Sequence, residues 1–122
     1  MNKTKREVLE KFTEQQIIFA LNKLENTRCV KINTKGSFNQ VLQQRMKMPI
    51  GCLKGTPDLL VMSRGVPSYW IEVKRAGVGI QSRDQKEFQE ICRQCGVSYY
   101  ICTSKEEALN TIEQERIKHE QR

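Results

Sequence analysis

Residues 55–75, GTPDLLVMSRGVPSYWIEVKR, constrain the fold more than any other stretch of the chain. The run Asp58–Met62 is short and apolar, with Gly55-Thr56-Pro57 before it and Ser63-Arg64-Gly65 after it, which predicts a strand buried on both faces. Ser68–Arg75 alternates and is rich in aromatic and β-branched residues, so it reads as a second strand. The connection Arg64–Pro67 is too short for a crossover, so the two strands are antiparallel hairpin partners. Side chains alternate along a strand, which puts Trp70, Glu72 and Lys74 on one face and Tyr69, Ile71 and Val73 on the other. A carboxylate and an ammonium on a core strand must be paired, metal-bound or near water, because isolated buried charge is expensive. The hairpin also sets Asp58 opposite the Glu72–Lys74 end of its partner. Two carboxylates then converge beside one lysine.

The other elements follow from periodicity and punctuation. Thr4-x-x-Glu7 and Thr13-x-x-Gln16 are capping signals, and Ile17, Ile18, Leu21 and Leu24 recur at helical spacing, predicting a helix to about Glu25 with a turn or kink near Thr13. Residues 28–33 alternate as a strand. The stretch from Thr34 to Lys54 is polar and basic, a long loop or irregular hairpin. Ser82-x-x-Gln85 opens a helix with Phe88, Ile91, Cys92 and Cys95 on one face, and Gly96 ends it. Val97–Cys102 reads as a strand. Ser104-x-x-Glu107 caps a last helix with Ala108, Leu109 and Ile112 inward and a mixed-charge solvated stretch from Lys105 onward. The expected fold is α/β, a central mixed β-sheet flanked by helices in the order α-β-β-β-α-β-α.

A chain of 122 residues suits one domain, 1–122. No apolar run is long enough to cross a bilayer and the basic N-terminus lacks a signal peptide's apolar stretch, so a cytoplasmic location is expected. Five cysteines form no even framework; Cys92 and Cys95 make a CxxC, but without a second such pair a zinc site is the lesser alternative to small core residues. The formal charge of +7 favours a polyanionic partner. Its placement is more telling. From Thr27 to Pro57 there is no acidic residue, while Arg28, Lys31, Lys35, Arg45, Lys47 and Lys54 are all basic. Lys31, Lys35, Arg45, Lys47, Lys54 and Arg75 are the candidate phosphate-holding residues. Trp70 and Tyr69 are the aromatic residues expected near the site, too few to argue for base stacking; shape and phosphate positions are the expected mode of recognition.

The convergence of Asp58, Glu72 and Lys74 has a specific chemical use. Mg²⁺ takes hard oxygen ligands, one or two carboxylates, and keeps its other positions for water and substrate phosphate. Asp58 and Glu72 supply the carboxylates, and the Val73 backbone carbonyl adds an oxygen. Lys74 beside them can orient or deprotonate an attacking water and stabilise charge developing on phosphorus oxygens. Glu14 falls on the inward face of the first helix; it either joins this site or is a helix N-terminal acid wetted by solvent. An isolated E-x-K is most often a surface salt bridge; the joint pattern of Gly-Thr-Pro-Asp, strand, turn and Ile-Glu-Val-Lys is what points to chemistry.

With Gly55-Thr56-Pro57-Asp58, Ile71-Glu72-Val73-Lys74, the helical Glu14, the Ser82-x-x-Gln85 helix start and the strand after Gly96, the chain resembles the PD-(D/E)xK nuclease superfamily, and within it the virus-type replication–repair nuclease (VRR-NUC) family. The resemblance runs from about Thr13 to Ser104. It implies a restriction-endonuclease-like fold, Glu14, Asp58 and Glu72 as metal ligands, Lys74 as catalytic lysine and Gln85 as an active-site auxiliary. It also implies a Mg²⁺- or Mn²⁺-dependent, structure-specific DNA endonuclease. Branched DNA such as four-way (Holliday) junctions would be the substrate, a homodimer the working form, and the interior of a cell, that of a virus-infected host included, the location. The segment from Lys31 to Gly36 departs from the family by lacking an evident arginine. The alternative from another class is a non-catalytic branched-DNA-binding module with a nuclease-like fold.

Overall fold

The computed structural model describes residues 5–32, 38–39, 44–45, 54–77 and 80–120. Their elements run α1 (Lys5–Asn22), β1 (Thr27–Lys31), β2 (Phe38–Asn39), β3 (Gln44–Arg45), β4 (Leu59–Ser63), β5 (Val66–Val73), α2 (Arg83–Cys95), β6 (Tyr99–Cys102) and α3 (Lys105–Glu120). The expected class, a mixed sheet flanked by helices, is what forms. The order differs by β2 and β3, a two-residue antiparallel pair within the basic segment read as a loop or irregular hairpin. The rest of that segment, with Lys35, Lys47 and Cys52, lies outside the described residues, as does Thr4.

The main sheet has the order β1-β4-β5-β6. β1, β4 and β5 form an antiparallel meander, with Leu59 opposite Ile71 and Leu60 opposite Trp70. The turn at Arg64–Gly65 is as short as expected, and Gly65 takes a positive φ of 88°. β6 joins β5 in parallel, which a hairpin cannot do; α2 supplies the crossover. Alternation then divides the sheet into two faces. Cys29, Leu59, Val61, Tyr69, Ile71, Val73 and Cys102 form the core with Ile17 and Leu21 of α1 and Ala108 and Ile112 of α3. The opposite face carries Trp70, Glu72 and Tyr99 and meets α2, where Phe88 packs edge-on against Trp70 with ring centroids 5.5 Å apart.

Local chemistry explains the ends of the elements. Asn22 closes α1 and pairs its carboxamide with the backbone of Cys29, accepting from the N–H at 2.8 Å and donating to the carbonyl at 3.3 Å. One side chain thus ends a helix and occupies part of the free edge of β1. At α2, Ser82 Oγ accepts the Gln85 N–H and Gln85 Oε1 accepts the Ser82 N–H, the expected capping box, and Gly96 sits in the left-handed region at φ 74° as the C-cap.

Several expectations are corrected. α1 is continuous through Thr13, whose hydroxyl donates to the Leu9 carbonyl one turn back and caps nothing. It ends at Asn22, short of Glu25. β4 is buried on one face: Leu59, Val61 and Ser63 are covered, while Met62 on the α2 side is exposed. Ile91 and Cys95 on α2 and Leu109 on α3 also face outward, because the buried stripes run through Cys92 and through Ala108, Thr111, Ile112 and Glu115. Glu115 is therefore a core carboxylate, where a solvated helix face was expected.

Candidate active site

The site forms where the start of β4, the end of β5 and the start of α2 meet. Pro57 is fully buried and delivers Asp58 to the first position of the hairpin. Asp58 Oδ2 accepts the backbone N–H of Val73 at 2.9 Å, and its own carbonyl accepts from Ile32 N–H at 2.9 Å. Asp58 therefore touches the strand that carries Glu72 and Lys74, as hairpin pairing requires. In β geometry a residue's N–H and C=O point to the same strand edge, so the Val73 carbonyl also faces the Asp58 side.

Glu72 and Lys74 are both buried, with side chains 4% and 9% exposed. Lys74 Nζ stands 3.8 Å from Glu72 Oε1 and donates to Gln85 Oε1 at 2.9 Å. Gln85 Nε2 donates in turn to Glu72 Oε1 at 2.8 Å. Gln85 thus serves α2 as its capping residue and the site as a bridge. Burial first, and then the charge and hydrogen bonding of Asp58, push the Glu72 carboxyl up to about 8 against the opposing pull of Lys74.

Glu72 Oε2 is buried without a hydrogen-bond partner among the described residues. An acceptor stranded in that way costs free energy that a partner would recover. Its neighbours are Asp58, whose carboxyl can bond it only while a proton is shared between the two, and a lysine directed to Gln85. The donor set that fits a hard divalent cation is Asp58, Glu72 and the Val73 carbonyl. Among the described residues no three His, Cys, Asp or Glu side chains gather closely enough to share an ion. Glu14 is not brought to Asp58 and Glu72. It lies in the middle of α1, so it is not an N-terminal acid either; it is 9% exposed and pairs with Lys31 Nζ at 3.0 Å beside a pocket of about 430 Å³. The reason is packing, because α1 covers the core face of β1 while Asp58 and Glu72 share the face towards α2.

The basic residues are placed as follows. Lys31 holds Glu14, Lys54 is exposed with its ammonium 3.7 Å from Asp84, and Arg75 follows Lys74 half-buried. Of Arg45 only the backbone of β3 is described. Tyr69 is removed from the site: it lies in the core, with its hydroxyl 2.8 Å from Thr111 Oγ1. Tyr99 takes that place. Its hydroxyl accepts from Gln81 Nε2 at 3.3 Å and is pushed up to about 12, by burial first, against the Gln81 bond, with Glu72 and Asp58 adding to the rise. The sequence reading of Val97–Cys102 as a strand did not single out Tyr99; the parallel register Trp70–Tyr99 sets the face it takes. Cys92 is buried and Cys95 exposed, both as free thiols, with no third ligand beside them among the described residues.

Gly55 fixes how closely the Asp58 turn approaches α2. It has a φ of 89°, and a Cβ there would lie 2.3 Å from the Asp84 carbonyl oxygen. No side chain larger than hydrogen fits. No family model, curated protein or solved structure matches the chain.

Proposed function

We propose that this chain is a Mg²⁺- or Mn²⁺-dependent DNA endonuclease of the PD-(D/E)xK type, with Asp58, Glu72, Lys74 and Gln85 as its catalytic group. The observation that carries the proposal is the unpartnered, buried Glu72 Oε2 beside Asp58 and Lys74. A buried carboxylate held beside a second, half-buried one is costly unless a cation compensates them. Asp58, Glu72 and the Val73 carbonyl would hold that cation, and the restriction-endonuclease-like fold belongs to the same proposal.

A divalent ion bound there supplies Lewis-acid polarisation of the phosphodiester and lowers the pKa of a water molecule. The protein's own part is positional and electrostatic. Asp58, anchored to the Val73 N–H, and Glu72, anchored to Gln85 Nε2, each keep one oxygen that would be offered to the cation. Lys74, held on Gln85 Oε1, is placed to orient the attacking water and to stabilise negative charge that develops on the phosphoryl oxygens. In-line attack of water would form the new P–O bond as the bond to the leaving 3′ or 5′ oxygen breaks, with the proton lost by the water going to bulk solvent and the leaving oxygen taking one from solvent.

Lys54, beside Asp84, and Arg75, next to Lys74 in the chain, would hold backbone phosphates, so affinity should fall steeply with salt. Branched DNA as substrate, a two-fold homodimer and a cytoplasmic location rest on the family resemblance and are part of the proposal. Among the described residues no helix is long and apolar enough to cross a membrane. The test is cleavage of supercoiled and four-way-junction DNA with Mg²⁺, with Mn²⁺ and with EDTA. Asp58→Ala and Lys74→Ala should abolish cutting and leave junction binding. Normal cutting by both variants removes the assignment.

A further inference from the structure

The Lys74 ammonium and the Glu72 carboxyl are buried and two residues apart, yet they do not form a direct charge-assisted hydrogen bond. Their nearest approach is 3.8 Å, whereas such bonds close to about 2.7–2.9 Å when nothing intervenes. The Gln85 carboxamide intervenes, taking the lysine on its oxygen at 2.9 Å and giving its amino group to the carboxylate at 2.8 Å. It is held from a third side. The same Oε1 accepts the backbone N–H of Ser82 at 2.9 Å, and Ser82 Oγ accepts the Gln85 N–H at 3.2 Å. A backbone N–H and an ammonium are both obligate donors, so the atom that meets them must be the amide oxygen.

From this we infer that Ser82 is a positioning residue for catalysis: its capping box holds the Gln85 carboxamide between Lys74 and Glu72 and keeps the two from closing into a direct ion pair. The inference rests on the nuclease reading. A closed pair would spend the lysine on Glu72 Oε1, displace Gln85 from that oxygen and draw the ammonium away from the attacking water. Ser82 lies near the surface and touches neither group, so its effect passes through Gln85.

The test uses the full chain and three substitutions. Ser82→Ala removes the cap acceptor, Ser82→Thr restores one, and Ser104→Ala removes the equivalent cap of α3, where Ser104 Oγ accepts the Glu107 N–H at 3.2 Å. Two readouts are followed: kcat and KM for Mg²⁺-dependent cleavage, and the ¹H–¹⁵N signals of the Gln85 carboxamide. Ser82→Ala keeps the backbone N–H of that position on Gln85 Oε1 but releases the Gln85 backbone N–H. It should lower kcat about tenfold or more with KM unchanged, as misplacement of a catalytic group does, and should shift the Gln85 carboxamide signals and weaken their protection. Ser82→Thr should recover both, and Ser104→Ala should leave both unchanged while lowering thermal stability. A Ser82→Ala kcat within about twofold of wild type, or an equal loss in Ser104→Ala, overturns the positioning role. Wild-type protein that cuts no DNA with either metal overturns the nuclease reading itself, a separate and recognisable failure.

Discussion

Asp58 Oδ2 accepts the backbone N–H of Val73 at 2.9 Å, so one carboxylate both fastens the β4–β5 hairpin and faces the Glu72–Lys74 end of β5. The two roles can be separated. Asparagine keeps an oxygen able to accept the Val73 N–H and gives up the charge, whereas alanine loses both. Asp58→Asn should unfold within about 0.5 kcal/mol of wild type, and Asp58→Ala should lose about 1–2 kcal/mol. Both should lose roughly a thousandfold or more in cleavage rate. Urea unfolding with single-turnover kinetics checks both; cleavage by Asp58→Asn at the wild-type rate would exclude a charge-dependent role.

Glu72 links stability, pH and metal. Its folded carboxyl lies at about 8, above its ordinary 4.5, so between those values the folded protein binds more protons than the unfolded chain. Stability is then fully present below about 4.5 and declines as pH rises through 8. A cation at Asp58 and Glu72 favours the ionised carboxyl and reverses that decline. Without divalent ions the melting temperature should fall from pH 5 to pH 8, and Mg²⁺ should raise it more at pH 8 than at pH 5. A Mg²⁺ effect independent of pH, or absent in wild type, would count against a site at Glu72.

Much of this site was legible because its parts are close in sequence and governed by alternation. Asp58, Glu72 and Lys74 belong to one hairpin, so strand parity and a short turn bring them together with no knowledge of the rest. Gln85 was legible as a cap by its spacing from Ser82. Glu14 was not, because helical periodicity shows that a residue faces inward but not which face of the sheet it meets. Tyr99 was not legible for a related reason: the parallel β5–β6 register depends on the α2 crossover, which no local pattern encodes. Tyr69 lies where β5 alternation puts it, in the core with Ile71 and Val73. Ile91, Leu109 and Met62 read as core because apolar residues imply burial only in one direction, and much of any folded surface remains apolar.

Gly55 and Gly65 share nearly the same positive φ but differ in surroundings. A Cβ at Gly65 meets nothing within 4 Å, while one at Gly55 meets the Asp84 backbone at 2.3 Å. Gly65→Ala should therefore cost only the left-handed backbone penalty, about 1–2 kcal/mol. Gly55→Ala must in addition push the Asp58 turn away from α2, with a total loss of about 3 kcal/mol or more and a large fall in cleavage. Urea unfolding of the two variants side by side reads the difference. Equal losses would mean that the turn and α2 do not approach as described.

Another charged cluster lies on the core face, away from the proposed chemistry. Glu115 on α3 is 1% exposed, accepts the Tyr100 hydroxyl from β6 and lies 3.1 Å from His119 Nε2 one turn on. Burial opposes its ionisation, but bonds from Ser98, Tyr100 and His119 prevail and hold its carboxyl below the usual range. A lowered folded value contributes stability above the ordinary carboxylate pKa and loses it as pH falls through the folded value. Glu115→Ala strands the Tyr100 hydroxyl and should cost about 2–3 kcal/mol at pH 7, whereas Glu115→Gln keeps an acceptor and should cost about 1 kcal/mol. The wild-type advantage over Glu115→Gln should shrink from pH 7 to pH 3, because protonation makes the native carboxyl resemble the amide. Metal-dependent cleavage by Glu115→Gln at neutral pH should match wild type, since its partners pin α3 to β6 on the face opposite Glu72. A cleavage defect without a stability loss would instead place Glu115 in the chemistry.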